Sequence, residues 1–244
     1  MLEHLTGPVK AAGSENLGSL LDDGLLKLGI NPDDRVRFLL EKYIEEIELF
    51  NPAYGLVKVK DRGELIVKHI LDSLAPVNII RGLLEKTAQD KPPVWQAADV
   101  GSGAGFPGIP LAVCMNGAEF TLVERMARRA GFLRDVQALL GLANVRIEEA
   151  DMERVNPGQF NLVVFRAFRP LEPPILKGLL RLLAPGGILA AYKGRRETIE
   201  KEMSAVLPLL SAGKSASFPA KSYEILPLEV PFLEEERHLV LIRL

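Results

Sequence analysis

The stretch Asp99 to Leu111, D-V-G-S-G-A-G-F-P-G-I-P-L, decides the reading of this chain. An apolar run, Val94 to Ala98, leads into it, and an apolar segment, Ile109 to Met115, follows it. The order is strand, glycine turn, helix. Gly101, Gly103 and Gly105 let the main chain approach a ligand that a β-carbon would block. The free N–H groups of the following helix start are expected to point into the turn. Asp99 ends the strand and is expected to set a carboxylate at the mouth of the site, where it suits a cationic group.

Downstream of the turn, strands and helices alternate. Strands are expected over 119–124, 145–149, 161–165 and 188–192, and helices over 127–140, 174–183 and 197–210. Ala184-Pro185-Gly186-Gly187 reads as the turn before the fourth of these strands. Two last strands, 217–228 and 237–244, have no helix between them and predict an antiparallel hairpin at one edge. The fold class is α/β, a mostly parallel doubly wound sheet covered by helices.

Upstream, the chain reads as helical. Leu20 to Leu28 is a short amphipathic stretch stopped by Gly29. Asn31-Pro32-Asp33 is a helix start. Apolar residues then recur at helical spacing from Val36 through Leu39, Leu40, Tyr43, Ile44 and Ile47 to Phe50, and Asn51-Pro52 is expected to end that helix. Residues 64–84 read as one further helix, and Asp90 to Pro93 as a linker. The expected organisation is a loosely ordered extension over 1–18, a helical appendage over 19–92 and a catalytic domain over 93–244.

Composition narrows the function. The 244 residues are 48% hydrophobic and 25% charged, which suits a sizeable globular core. No apolar run reaches the ~18 residues needed to cross a bilayer, and Met1 to Asn16 lack a signal-peptide core. One cysteine, Cys114, excludes an internal disulfide and suits a reducing compartment; it reads as packing. Three histidines and one cysteine, scattered, make no metal-ligand spacing, so no metal is expected. A net charge of -2 does not signal nucleic-acid binding globally, so any such contact needs a local basic patch.

Two ligands fit the glycine turn. Gly103 to Gly108 matches G-x-G-x-x-G, the dinucleotide fingerprint. Gly101-x-Gly103-x-Gly105 after Asp99 matches the turn that holds S-adenosylmethionine. Glu124, at the end of the next strand, is placed to accept from ribose hydroxyls and serves either ligand. Asp99 favours a sulfonium donor with its ammonium over a pyrophosphate, although the same carboxylate could instead cap the helix. The terminal hairpin favours the methyl donor as well.

These residues also resemble a known family. D-V-G-S-G-A-G-F-P-G-I-P-L is similar to the signature of the bacterial glucose-inhibited division protein B family, which are small-subunit ribosomal RNA guanine-N7 methyltransferases. H-I-L-D-S (69–73), T-L-V-E-R-M-A-R-R-A-G-F-L (121–133), F-R-A (165–167), Y-K-G (192–194) and E-R-H-L-V-L-I (236–242) resemble further family blocks in the same order. The chain departs from the family at Gly55-Leu56-Val57, where N-L-T is usual, and at Glu124, where Asp is more common.

The resemblance implies a fold of the class I S-adenosylmethionine-dependent type. It implies a donor site on Gly101, Gly103 and Phe106, with Glu124 at the ribose, Met152 and Glu153 (or Asp151) at the adenine, and Arg166 beside the methionine end. Met152 could equally be an ordinary packed loop residue. Arg166, Lys193 and Arg237 are the residues expected to orient guanine or its phosphates. Guanine N7 carries a free lone pair, so no general base is expected and neither His69 nor His238 is given that role. The other readings of these residues are structural: Arg237 paired with Glu234 or Glu235, Lys193 solvated, and His69 hydrogen-bonded to Asp72 to pin the appendage.

Three basic clusters could meet phosphates: Arg125, Arg128, Arg129 and Arg134; Lys58, Lys60, Arg62 and Lys68; and Lys193, Arg195 and Arg196. The expected partner is small-subunit ribosomal RNA within a ribosomal particle, met by a cytoplasmic monomer without membrane contact. The alternatives are a methyltransferase for tRNA or a small molecule, and a non-catalytic RNA-binding assembly factor. A nicotinamide oxidoreductase is a more distant reading.

Overall fold

The computed structural model describes residues 15–87, 94–166, 170–211 and 222–243. Helices α1 (Glu15–Lys27), α2 (Asp34–Tyr54), α3 (Arg62–Leu65), a π-helical turn (Ile66–Leu71), α4 (Asp72–Leu74) and α5 (Val77–Thr87) precede the sheet. Then come β1 (Trp95–Val100), α6 (Gly108–Cys114), β2 (Ala118–Val123), α7 (Ala127–Leu139), β3 (Val145–Glu148), β4 (Phe160–Arg166), α8 (Pro173–Leu182), β5 (Leu183–Lys193), α9 (Arg196–Ser211), β6 (Ser222–Leu228) and β7 (Arg237–Arg243). The strands form one sheet in the order β3-β2-β1-β4-β5-β7-β6. All neighbours are parallel except β5–β7 and β6–β7. The strand order reverses between β1 and β4, and at such a switch point the carboxyl ends of the strands open a crevice.

The apolar stripe of α2 buries Val36, Leu39, Leu40, Tyr43, Ile44 and Ile47, as the helical spacing predicts. This stripe merges with α1, α5, α6, α7 and one sheet face into a single apolar core. A second core lies on the opposite face, where Leu176 and Leu179 of α8 and Met203 of α9 pack. The N-terminal helices are therefore built into the sheet's own packing.

Four expectations change. Residues 15–18, expected to be loose, already form the first turn of α1, with Gly18 tolerated inside the helix at about 1 kcal/mol; residues 1–14 lie outside the described residues. Helix α2 runs through Pro52 to Tyr54, because Gly55 takes the left-handed conformation (φ 59°) and donates its N–H to Asn51 O at 2.8 Å. The single helix expected over 64–84 is broken at Pro76, which has no N–H to continue the ladder. Strand β5 begins at Leu183, so Ala184 to Gly187 belong to the strand as an irregular stretch with a register shift opposite Phe160 and Leu162. The linker 90–93 and the start of the strand expected over 217–228 lie outside the described residues.

Candidate active site

The glycine turn is tied down from two sides. Gly101 and Ser102 donate their N–H groups to Val123 O, at 2.9 and 3.2 Å, joining the turn to the end of β2. The buried Tyr43 hydroxyl of α2 donates to Ala104 O at 2.7 Å, so the N-terminal helices hold the turn's other side. Gly101 (φ 73°) and Gly103 (φ 59°) occupy the left-handed region and line the cavity, as expected of a main-chain cradle. Gly105 does not. A β-carbon there would stand 2.7 Å from Ile109 and 2.9 Å from the Tyr43 hydroxyl, so it is glycine to fit the core.

Asp99 is not at the mouth. It is fully buried beneath the turn, and its Oδ2 accepts the N–H of Gly108 at 2.9 Å. That N–H opens α6, so Asp99 caps the helix, and this helix start turns inward instead of offering its donors to a ligand. A β-carbon on Gly108 would stand 2.8 Å from Asp99 Oδ2, so glycine at 108 is what lets the carboxyl approach. Burial pushes the Asp99 carboxyl up to about 7, and its Oδ1 has no hydrogen-bond partner among the described residues.

Two contiguous lobes open at the carboxyl ends of β1 and β4, sharing Gly101 and Arg129. The smaller, about 200 Å³, brings together Glu124, Asp151, Met152 and Glu153, all nominated by the sequence. Glu124 is buried, and each carboxylate oxygen accepts one main-chain N–H: Oε2 from Gly103 at 2.9 Å and Oε1 from Met126 at 2.8 Å. A carboxylate has about four acceptor positions, so it keeps capacity for the two hydroxyls of a ribose. Met152 is buried, as the packed-residue reading expects. It lines this lobe while packing on Gly178 of α8, where a β-carbon would come within 2.4 Å of its methyl group. Arg181 fixes the same turn by donating to Met152 O and Val155 O at 2.9 and 2.8 Å.

The larger lobe, about 650 Å³, takes in Phe106, Arg166, Lys193 and Arg237. Arg166 is held on three sides by the segment around the π-helical turn. Its Nη1 donates to Lys68 O at 3.0 Å and to Asp72 Oδ2 at 2.8 Å, and its Nη2 meets His69 Nδ1 at 2.8 Å. Its guanidinium also lies 5.0 Å from the Phe106 ring centre. Burial and the neighbouring Arg166 charge push His69 down to about 3, so the ring is neutral and accepts from the arginine. Arg237 Nε donates to Asp72 Oδ1 at 3.1 Å. Lys193 pairs with Glu202 at 2.5 Å.

Several structural alternatives are thereby corrected. Arg237 turns to Asp72 and not to Glu234 or Glu235. Lys193 is paired and not solvated. His69 and Asp72 do not bond to each other but share Arg166. Many members of the basic clusters are already engaged within the chain. Arg62 pairs with Glu41 and Glu48, Arg134 with Glu149, Arg196 with Glu200, and Arg128 donates to Ala53 O. Sequence reading missed Glu202, which holds both Lys193 and the Leu171 N–H, and Arg181, whose partners lie 26 to 29 residues back, and it placed Arg129 only in a basic cluster that could meet phosphates. Its proximity to Glu124 was the available signal.

A seven-stranded sheet in which β7 alone runs against the other strands, and a glycine turn beside a buried carboxylate, define a methyltransferase of the class I S-adenosylmethionine-dependent type. Solved structures share the fold. A putative O-methyltransferase from Klebsiella pneumoniae superposes with a TM-score of 0.56 at 15% identity, over 92% of this chain and 96% of that one. A SAM-dependent methyltransferase from Aquifex aeolicus gives 0.51 at 16% identity, over 82% and 98%. Residues 38–228 match the family model GidB, rRNA small subunit methyltransferase G, and the chain belongs to that family. Proteins named ribosomal RNA small subunit methyltransferase G agree with this. The one from Treponema denticola is 36% identical over 91% of this chain and 93% of its own length. The one from Treponema pallidum (strain Nichols) is 40% identical over 84% and 83%.

The site carries its own expected result. Glu124→Gln keeps the shape but leaves one oxygen where two are used, so donor affinity measured by calorimetry should fall about 10- to 100-fold. An unchanged constant removes Glu124 from the donor site.

Proposed function

We propose that this chain transfers a methyl group from S-adenosylmethionine to N7 of a guanine in 16S ribosomal RNA, with the small-subunit particle as substrate. Its setting in this reading is the cytoplasm, as a monomer free of membrane contact. No helix among the described residues is long and apolar enough to cross a membrane. The observation that carries the reading is the pair of joined lobes, one acidic and one basic, at the β1/β4 switch point of a chain belonging to this family.

The residues divide the work. Gly101, Gly103, Glu124, Met152 and Glu153 would hold the donor, with Phe106 and Arg166 toward its methionine end. Asp99 serves it indirectly, by bracing the turn. When bound, the donor supplies a sulfonium methyl open to in-line attack by a lone pair. Guanine N7 needs no deprotonation, so the lobe needs alignment and not a base. The residues agree: His69, held near 3, is a poor base, and the His238 ring nitrogen Nδ1 is bonded to Gly194 O at 2.7 Å. Arg166 and Arg237, locked on Asp72, are preset donors for the acceptor face of guanine or for its phosphates. Six cationic side chains line this lobe against two carboxylates, which favours a polyanionic substrate.

Incubation with labelled donor and undermethylated small-subunit particles, followed by nucleoside mass spectrometry, tests the reading. Label is expected in 7-methylguanosine. Label in another nucleoside or only in tRNA selects a different acceptor, and donor binding without transfer selects a non-catalytic assembly role.

A further inference from the structure

Most cations of the larger lobe already have an acid. Arg166 and Arg237 share Asp72, Lys193 holds Glu202, and Lys68 lies between Glu64 and Glu235. Lys58 stands exposed at the rim. Arg129 is different. It lies in the first turn of α7, is half-buried, and lines both lobes. Among the described residues its guanidinium makes no hydrogen bond or ion pair. Its Nη1 stands 4.0 Å from where a β-carbon on Gly103 would lie, so it borders the glycine cradle.

A guanidinium partly withdrawn from water without an acid at hydrogen-bonding distance gains from an anion brought to it. The smaller lobe offers that anion no place, because Glu124, Asp151 and Glu153 line it. The larger lobe is cationic and lies on the other side of Arg129. We infer that Arg129 forms an oxyanion subsite at the junction of the two lobes. It rests on the proposed function and takes either the carboxylate of the methyl donor's amino-acid end or a phosphodiester next to the target guanine. Both present paired oxygens that match the planar fork of arginine, which lysine lacks.

Arg129→Met and Arg129→Lys distinguish the two sources. Calorimetry measures binding of S-adenosylmethionine and of its decarboxylated analogue, and steady-state kinetics with undermethylated small-subunit particles give kcat and KM. If the carboxylate is the ligand, R129M weakens donor binding about 10- to 100-fold and leaves the analogue unchanged. If the phosphodiester is the ligand, donor binding stays as in wild type while KM for particles rises by a similar factor and kcat holds. R129K shows a smaller loss in the same arm, and carries the test alone if R129M fails to fold. Unchanged donor affinity and unchanged KM in a folded variant overturn the inference and leave the functional reading standing. A wild-type chain that binds no donor overturns both.

Discussion

Asp72→Ala is expected to cost about 2–4 kcal/mol of stability and about a hundredfold in kcat/KM for the particle, with a smaller loss of donor affinity, because Arg166 keeps its bonds to Lys68 O and His69. Asp72 is the buried carboxylate on which two arginines converge, through Oδ2 to Arg166 and Oδ1 to Arg237. Removing one member of a buried ion pair leaves the other charge desolvated, which costs about 3–5 kcal/mol. The lower range applies here because Arg237 can turn toward solvent and Arg166 keeps its bonds to Lys68 O and His69. The activity loss has a separate origin. Without the shared carboxylate the two guanidinium groups lose their fixed spacing, and misplacement by about 1 Å can cost 10²-fold. Asp72→Asn separates the effects: it fills the space and accepts from one arginine through its single oxygen, so more of the stability than of the activity should return. Chemical denaturation, calorimetric donor binding and particle kinetics read the three quantities. Wild-type kcat/KM in a folded Asp72→Ala protein would remove this carboxylate from the site.

The second large effect is the pH dependence set by Asp99. Its carboxyl is about 7 in the folded protein and near 4 when exposed in the unfolded chain. Between those values the folded state binds the extra proton, so stability falls as pH rises from about 4 to about 7 and is flat above. The integrated change is roughly 4 kcal/mol. Asp99→Asn cannot ionise but still offers an oxygen to the Gly108 N–H, so it should gain on wild type across that interval and lose its advantage below pH 4. Asp99→Ala removes the cap as well and leaves a buried N–H unpaired, costing about 1–3 kcal/mol relative to Asn at every pH. Denaturation midpoints of the three proteins between pH 4 and 8 test this, and parallel curves for wild type and Asp99→Asn would refute it. Asp99→Ala is also expected to weaken donor binding, through a loosened glycine turn and not through a lost contact.

Much of the architecture was legible because local rules carry it. Helical spacing from Val36 to Ile47 marks a buried face whatever surrounds it, and Gly29 and Asp33 act as local stop and start signals. Proline signals were weaker guides. Pro52 looks like an end, yet the next residue able to adopt a positive φ, Gly55, decides where the helix stops. The place of Glu124 beside the glycine turn was legible too, because a strand end next to such a turn leaves few other places for it.

By itself, the sequence determined the order of strands and helices, the glycine turn, the set of polar residues gathered at the sheet's carboxyl edge, and the resemblance to a methyltransferase family. The tertiary structure alone decided which acid meets which base. Asp72 lies 94 residues from Arg166 and 165 from Arg237, and nothing in local spacing or composition records such a pairing. It also decided that Asp99 faces the start of α6 and not the cavity. Strand parity assigns a face, but only the close approach of Gly108 settles whether that face holds solvent, ligand or a helix.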